Sequence, residues 1–426
     1  MVKTVVLREE VQRKIEEIGH ADIVVGIPSY NNAGTIGHVV RAVQAGLVEY
    51  FPEARSVIVN SDGGSRDGTM DMVNTAAAGD FRTILVSNRM EPVFRIATPY
   101  NGMPGKGSAF RTILEIADAL GASACAVVDA DLRSITPEWM ELFLKPALAD
   151  FDYVAPLYQR HKYDGTITNS IVYPLTRALY GKQVRQPIGG DFGFSARMAR
   201  FYLSKGVWDS DVARFGVDVW MTTTAVANGF RICQAFLGAK IHDPKDPGTD
   251  LSSMLYQVVG AAFDLMETYE EAWKSIAGSE KVSTFGFPRD ASPAPVRVNV
   301  RGMIELFRLG ASELADLWQT FLGQEIVSFL ARLAAAKEAD FRVPDDVWTE
   351  IVYRFAVAAH ADLINREHLL KSLTPLYMGR TASFVLETAE SDISEVERKI
   401  EDLCRIFERK KPFLLKTWDS AAEQRR

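Results

Sequence analysis

The chain has 426 residues, enough for two domains, because single hydrophobic cores stop growing at roughly 250 to 300 residues. Its hydrophobic content of 47% and charged content of 24% are ordinary for a soluble globular protein. A formal net charge of -7, with no long run of basic residues, argues against a nucleic-acid partner.

The cysteines and the first residues indicate the compartment. Cys125, Cys233 and Cys404 are widely spaced in apolar surroundings, which favours reduced thiols over a disulfide framework or a zinc site. The N-terminal segment becomes charged too early for a signal peptide, and no run reaches the roughly 18 apolar residues of a membrane span. We therefore expect a cytoplasmic protein without a membrane partner.

The first third of the chain alternates between strand and helix patterns. Such alternation favours a doubly wound, mostly parallel sheet of the α/β class. An irregular stretch follows the third strand as far as residue 107. The predicted elements are a helix at 9–18, a strand at 22–28, a helix near 36–47, a strand at 56–60, a helix at 70–78 and a strand at 83–87.

Two acids end the next apolar run, AVVDADLR. This run reads as a strand buried on both faces, so Asp129 and Asp131 would stand at its C-terminal end, the edge where open α/β sheets bind ligands. A carboxylate pair there suits Mg²⁺ or Mn²⁺ bound together with a substrate diphosphate. The alternative is that Asp131 caps the helix beginning near Thr136 and that Asp129 forms a strand-end turn.

Two earlier loops carry candidates for donor binding. Gly105 and Gly107 flank Lys106 directly before a helix, where backbone N–H groups and an ammonium can meet a diphosphate. The Walker A spacing is absent, and the alternative is a connector with a solvated lysine. Asp62, in the loop after the second strand, is placed either to bond a ribose or base or to make a turn.

Later loops offer acceptor and metal candidates. The polar loop after a strand at 153–157 holds Arg160, Thr166 and Thr168, which suit an anionic acceptor or form an exposed basic turn. Asp218 lies among apolar neighbours, which is costly unless it is paired or functional. His242, in a strand-end loop, is either a metal ligand or a surface residue.

The composition of the chain changes after residue 291. A Pro-containing connector leads into segments with helical spacing, so we expect a catalytic domain over 1–291 and a helical region over 292–426 that supports dimerisation. The predicted helices are 303–321, 325–336, 345–364 and 393–407.

Seven motifs occur in an order that points to a family. They are IPSYNNAGTIG, NSDGGSRDGT, PGKGSAFRT, VVDADL, QPIGGDFGFS, FGVDVW and KIHDP. Their order resembles that of the retaining, A-type-fold glycosyltransferases that make glycosylglycerates: mannosylglycerate synthase, glucosylglycerate synthase and glucosyl-3-phosphoglycerate synthase. The resemblance implies a Rossmann-like sheet that binds a nucleoside diphosphate sugar, followed by a C-terminal helical region.

The resemblance also implies roles for individual residues. Asp218, Asp191 and Lys106 would act in catalysis, with Asp218 beside the acceptor or the sugar. Arg160, Thr166 and Thr168 would bind glycerate, and Mg²⁺ or Mn²⁺ would be held by Asp129, Asp131 and His242. The donor would be bound by Pro28, Ser29, Tyr30, Asp62, Lys106, Asp129, Ala130, Gly189 and Gly190.

The implied reaction moves glucose or mannose, with retention, from a GDP, UDP or ADP sugar to D-glycerate or 3-phosphoglycerate. The product would be an anionic compatible solute made by a cytoplasmic homodimer. Three alternatives stay open: an inverting transferase of the same fold acting on a saccharide, a nucleotidyltransferase, and a regulatory module that senses nucleotide sugars.

Overall fold

The computed structural model describes residues 7–78, 94–99, 105–208, 216–241, 251–288, 296 and 298–425. The chain divides into two compact units. The first comprises Met1–Gln159, Val184–Pro244 and Val282–Pro293, and the second comprises Arg160–Gln183, Lys245–Lys281 and Ala294–Arg426. The last segment of the first unit ends at Pro293, and 160–183 and 245–281, which the sequence pattern groups with the catalytic domain, belong to the second unit.

The first unit is a mixed α/β structure. In chain order its described elements are α1 (Glu9–Ile18), β1 (Ile23–Ser29), α2 (Ile36–Tyr50), β2 (Ser56–Asp62), α3 (Thr69–Ala78), β3 (Phe94–Pro99), α4 (Lys106–Ala119), β4 (Ala124–Val127), α5 (Glu138–Ala149), β5 (Tyr153–Gln159), β7 (Phe192–Ser195), α7 (Ala196–Leu203), α8 (Val217–Ala227), β8 (Ile232–Ala239) and β10 (Ser283–Phe285).

These strands form one sheet. Among the described residues its order is β10-β8-β5-β7-β4-β1-β2-β3. β7 runs antiparallel to both of its neighbours, β4 and β5, whereas the other pairs are parallel. The start of β7 therefore meets the ends of β4 and β5 at one edge of the sheet, where ligands bind in folds of this kind.

β1 is an interior strand of the sheet and consists mainly of small and branched apolar residues. Ile23, Val24 and Val25 have no exposed surface, as expected for a strand covered on both faces. Gly26 lets α4 approach closely, because a Cβ there would stand 2.5 Å from the Ile113 side chain. α4, which carries Lys106, is thereby packed directly on the sheet.

The second unit is helical. Its described elements are a π-helical turn (Thr168–Val172), α6 (Tyr173–Tyr180), β6 (Lys182–Gln183), α9 (Leu251–Thr268), α10 (Glu270–Lys274), β9 (Glu280–Lys281), α11 (Val300–Glu313), α12 (Ala315–Gln319), α13 (Gln324–Ala334), a 3₁₀ turn (Glu338–Asp340), α14 (Asp345–His360), α15 (Arg366–Glu387) and α16 (Ile393–Arg425). None of the helices in the described ranges combines the length and apolar character needed to cross a bilayer.

Polar anchors fix chain segments within the second unit. Lys162 donates to the carbonyls of Thr388, Ala389 and Ser391, directly after α15, at 2.8 to 3.0 Å. These carbonyls follow the end of a helix and would otherwise require water. The loop that carries Arg160, Thr166 and Thr168 is thus tied to the C-terminal helices.

Most of the predicted elements in the described ranges are confirmed, two predictions are wrong, and one helix, α15, was not predicted. The stretch expected to be irregular before residue 107 contains the strand Phe94–Pro99. α15 is buried around most of its circumference, with Ser372, Arg380 and Ser383 among the buried residues, so the sequence shows no one-sided apolar stripe there. The helix expected at 303–321 is divided at Leu314. The strand predicted at 83–87 lies outside the described residues.

Candidate active site

One edge of the sheet gathers a cluster of charged side chains. The ends of β4, β5 and β8 and the start of β7 bring Asp129, Tyr158, Lys240 and Asp191 together. Asp129 and Asp191 were predicted from sequence, whereas Tyr158 and Lys240 were not. We call these four residues, with Lys106 and Asp218, the edge cluster.

Lys106 is the first residue of α4 and faces two carboxylates. Its Nζ lies 2.7 Å from Asp129 Oδ1 and 3.4 Å from Asp218 Oδ1, and it donates to the Gly190 carbonyl at 3.0 Å. Burial opposes the charged form, but Asp129 and Asp218 outweigh it and hold the pKa of Lys106 above its ordinary value. The alternative of a solvated lysine is wrong, because a connector lysine would not be held by two acids.

Lys240 is the second cation of the edge cluster and was missed in the sequence. Its side chain is 5% exposed, and its Nζ lies 3.1 Å from Asp129 Oδ2, 2.8 Å from Asp191 Oδ2 and 2.8 Å from the Gly189 carbonyl. Burial disfavours the Asp129 carboxylate, but Lys106 and Lys240 lower the pKa of Asp129 below its usual range. Asp129 therefore stays ionised through the neutral range.

Asp191 is fully buried and receives three donors. Its Oδ1 accepts the Asp129 backbone N–H at 2.7 Å, and its Oδ2 accepts from Lys240 and from the Tyr158 hydroxyl. Burial, with a contribution from the Asp129 charge, raises the pKa of Asp191 against the lowering effect of Lys240. The Asp191 carboxylate thus joins the start of β7 to the end of β4.

Gly189 and Gly190 make the close approach of these segments possible. A Cβ on Gly189 would overlap the ring of Pro156, and a Cβ on Gly190 would overlap the Asp129 carboxylate. Gly190 also has a φ of +91°, in the region that favours glycine. Both glycines are required by the cluster itself, independently of any bound sugar.

Asp131 differs from Asp129 in that it is available to a ligand. It is half-buried, and no partner of its carboxylate occurs within the residues that the structure describes. It does not cap α5, whose N-cap is Pro137 without a side-chain hydrogen bond, so that alternative is wrong. The intervening Ala130 is fixed because its carbonyl accepts the Thr35 hydroxyl at 2.7 Å.

Two of the three predicted metal ligands, Asp129 and Asp131, lie in the described part of the chain. His242 lies outside the described residues, so its position relative to Asp131 is not described. Within the described ranges no group of three or more His, Cys, Asp or Glu side chains is arranged to hold a metal. The half-buried, unpartnered carboxylate of Asp131 nevertheless fits a hard cation, which prefers oxygen ligands.

The residues predicted to line the nucleotide pocket lie at the ends of β1 and β2. Tyr30 is 62% exposed, which leaves its ring open to a stacking partner. Asp62 is instead committed to its turn: it accepts the hydroxyls of Ser29 and Ser65 and the N–H groups of Gly64 and Ser65, at 2.6 to 2.9 Å. Asp62 therefore forms a turn, as the second interpretation of the sequence predicted. Pro28 and Ser29 form the end of β1, and Asp62 holds that end through the Ser29 hydroxyl.

Asp62→Asn is expected to lower the free energy of unfolding by about 1 to 3 kcal/mol, because one oxygen that accepts two hydrogen bonds becomes a donor. Chemical denaturation measures this difference. The control is Asp150→Asn. The exposed carboxylate of Asp150 pairs with Arg231 at 3.2 Å, and its loss is expected to change the free energy of unfolding by less than about 1 kcal/mol. Equal losses in the two variants would contradict the proposed role of the turn.

The predicted acceptor residues lie in the second unit. Arg160 Nη1 stands 3.5 Å from Asp164 Oδ2, and the Thr166 hydroxyl is 2.5 Å from the hydroxyl of Tyr377. Thr168 is buried at the start of the π-helical turn. Thr166 also lines a small pocket within this unit, with Arg380 and other residues.

The comparison with protein families agrees with this geometry. A family model described as Glycosyl transferase family 2 matches residues 24–208. The matched residues include β1 with its strand-end residues, α4 with Lys106, the acids after β4 and the glycines before β7. Lys240 and Asp218 lie beyond them. No curated protein matched the chain.

Several solved structures are similar to the chain. Glucosyl-3-phosphoglycerate synthase from Mycobacterium tuberculosis with Mg²⁺ and UDP is 20% identical, with a TM-score of 0.43 over 59% of this chain and 83% of that chain. The same enzyme with Mn²⁺, UDP-glucose and phosphoglyceric acid is 19% identical, with a TM-score of 0.43 over 60% and 83%. Its complex with Mn²⁺, UDP-glucose and glycerol 3-phosphate is 20% identical, with a TM-score of 0.42 over 59% and 83%.

Proposed function

We propose that the chain is a metal-dependent, retaining glycosyltransferase that moves glucose or mannose from a nucleoside diphosphate sugar to D-glycerate or 3-phosphoglycerate. The observation that carries the proposal is the placement of Lys106. Lys106 is the first residue of α4, within the residues that the family model matches, and its ammonium lies 2.7 Å from Asp129 Oδ1 and 3.4 Å from Asp218 Oδ1.

The donor diphosphate would bind at the first turn of α4. The backbone N–H groups of a first helical turn lack intrahelical partners, and the helix dipole favours an anion there. Lys106 adds a full positive charge at the same place. As the bond to the sugar breaks, charge grows on the leaving phosphate, and a preorganised ammonium stabilises that charge.

The cation would be held by Asp131 and His242. Asp129, the third predicted ligand, has its two oxygens paired with Lys106 and Lys240, so it would join the cation only by exchanging one of these pairs. When bound, Mg²⁺ or Mn²⁺ would neutralise charge on the leaving diphosphate without a protein proton donor. The oxygen-rich ligand set suits these two ions.

Asp218 would orient the acceptor hydroxyl or the sugar. Its Oδ1 is buried, faces Lys106 at 3.4 Å and makes no hydrogen bond within the described residues. A buried oxygen without a hydrogen bond is costly unless a ligand supplies a donor, and a substrate hydroxyl is such a donor. Full transfer activity in Asp218→Asn would remove this residue from the mechanism.

The acceptor would be bound by the polar loop of the second unit. Arg160, Thr166 and Thr168 suit a small anion because guanidinium and hydroxyl groups bind carboxylates and phosphates. We also propose a cytoplasmic homodimer. UDP-glucose, phosphoglyceric acid and glycerol 3-phosphate, the ligands of the solved structures described above, are natural first choices for assays.

Metal dependence provides a direct test. A chelator such as EDTA is expected to abolish transfer, and Asp131→Asn is expected to raise the Mn²⁺ concentration required for half-maximal activity by about tenfold or more, since it removes a ligand. Calorimetry of Mn²⁺ with UDP measures the same loss without turnover. Asp150→Asn is the matched control. Undiminished transfer in EDTA would contradict the proposed role of the cation.

A further inference from the structure

We propose that Tyr158 is a positioning residue that fixes Asp191 and Lys240, and through them Asp129, and that Gln186 holds Tyr158 in place. Neither residue was singled out from the sequence. The inference rests on the proposed function only in taking the edge cluster as the donor site.

The hydroxyl of Tyr158 reaches a carboxylate that water cannot. Tyr158 is 4% exposed, and its hydroxyl donates to Oδ2 of the fully buried Asp191. The same oxygen accepts from Lys240 at 2.8 Å. A residue that served only to fill the core would not need this hydroxyl, whereas a buried carboxylate needs every donor it can reach.

The ring of Tyr158 also has partners on both sides. Lys240 Nζ lies 5.0 Å from the ring centroid, within the range of a cation–π contact. The ring of Trp139 packs at 5.5 Å and is itself held by a hydrogen bond from its indole to the Leu237 carbonyl at 3.0 Å. Tyr158 thus contacts Lys240 with its ring and Asp191 with its hydroxyl.

The backbone of Tyr158 lies at an irregularity in the pairing of β5 with β8. The register of β5 against β8 shifts between Leu157 and Tyr158. At this irregularity the buried Gln186 side chain accepts the Tyr158 N–H at 3.2 Å and donates to the Tyr158 carbonyl at 2.8 Å. A side-chain amide therefore satisfies both backbone groups and fixes the direction of the tyrosine.

The test compares Tyr158→Phe with Tyr202→Phe. Both substitutions remove one buried hydroxyl, and Tyr202 donates to the Met221 carbonyl at 2.8 Å, outside the edge cluster. Tyr158→Phe is expected to lower kcat/KM for the donor by about tenfold to a hundredfold and to weaken UDP binding in the presence of Mn²⁺, since it removes a hydrogen bond to a charged group. Its melting temperature should fall at least as far as that of the control, because the lost hydrogen bond is to a charged acceptor, so the kinetic constants and the UDP affinity are the deciding measurements.

A purely structural role predicts a lower melting temperature with donor KM, kcat and UDP affinity unchanged, and this result would overturn the proposal. Gln186→Ala supplies the second variant and should shift donor KM and kcat in the same direction. The double variant should lose less than the sum of the single losses, because the two residues act through one contact. Simple additivity would count against the role assigned to Gln186.

A crystal structure of Tyr158→Phe separates this proposal from the proposed reaction. We expect the Asp191 carboxylate and Lys240 to move relative to Asp129. Unchanged positions of all three side chains would overturn the positioning role, whatever reaction the wild-type protein catalyses. Absence of transfer by the wild-type protein, with the displacement observed, would overturn the proposed function and leave the positioning role standing.

Discussion

Lys106→Ala is expected to reduce kcat by about a hundredfold to a thousandfold, as is typical when one preorganised donor to a developing anion is removed. Among the described residues, the variant also leaves Asp218 without an ammonium partner and leaves Asp129 with Lys240 alone. We expect the free energy of unfolding to fall by about 1 to 3 kcal/mol, because half-buried carboxylates lose a partner. Steady-state rates and chemical denaturation measure the two effects separately.

The control for this prediction is Lys145→Ala. Lys145 pairs with Glu141 on the exposed face of α5, and a surface pair of this kind contributes about 0 to 1 kcal/mol. Lys106→Arg is a second comparison: it keeps the charge but replaces a compact ammonium with a planar fork, so we expect only partial recovery. A kcat for Lys106→Ala equal to that of the control would remove the ammonium from the reaction.

Gly190→Ala is expected to have the second largest effect on stability and donor binding, because alanine is unfavourable at this position for two reasons. The φ of +91° is strained for alanine, at about 1 to 3 kcal/mol. The new Cβ would stand 3.1 Å from Lys240 Nζ and 3.2 Å from Asp129 Cγ, and it would overlap the carboxylate itself. Overpacking of this kind costs typically about 1 to 3 kcal/mol more.

The same substitution is expected to abolish donor binding, since Asp129 must move out of the edge cluster. Thermal unfolding and calorimetry with UDP and Mn²⁺ measure the two losses. Gly206→Ala is the matched control, because a Cβ there meets nothing within 4 Å and its φ lies outside the strained region. Wild-type stability and UDP affinity in Gly190→Ala would show that the cluster tolerates the added atom.

The order of elements and the position of the acids at one edge of the sheet could be predicted from the sequence because both depend on local patterns. Apolar runs mark β1, β2 and β4, and the acids after β4 follow directly from where that run ends. Lys106 was found because glycines flank it at a helix start. These signals lie within a few residues of one another, where sequence periodicity is informative.

Lys240 and Tyr158 could not be found in this way. Their roles depend on two features of strand pairing. β7 runs antiparallel between β4 and β5, and the register of β5 against β8 shifts by one residue at Tyr158. Neither fact has a local signature. Lys240 is part of the motif KIHDP, two residues before His242. Its role could not be inferred from that position, because it depends on Asp129 and Asp191, which only the sheet brings close to it.

The measurement that tests the central claim most directly is a matrix of donors and acceptors. GDP-, UDP- and ADP-linked glucose and mannose would be combined with D-glycerate and 3-phosphoglycerate, in Mg²⁺ or Mn²⁺, and the anomeric configuration of each product read by NMR. We predict a glycosylglycerate with the anomeric configuration of its donor, formed only when the divalent ion is present. A product of inverted configuration, or no transfer from any donor in the matrix, would contradict the account.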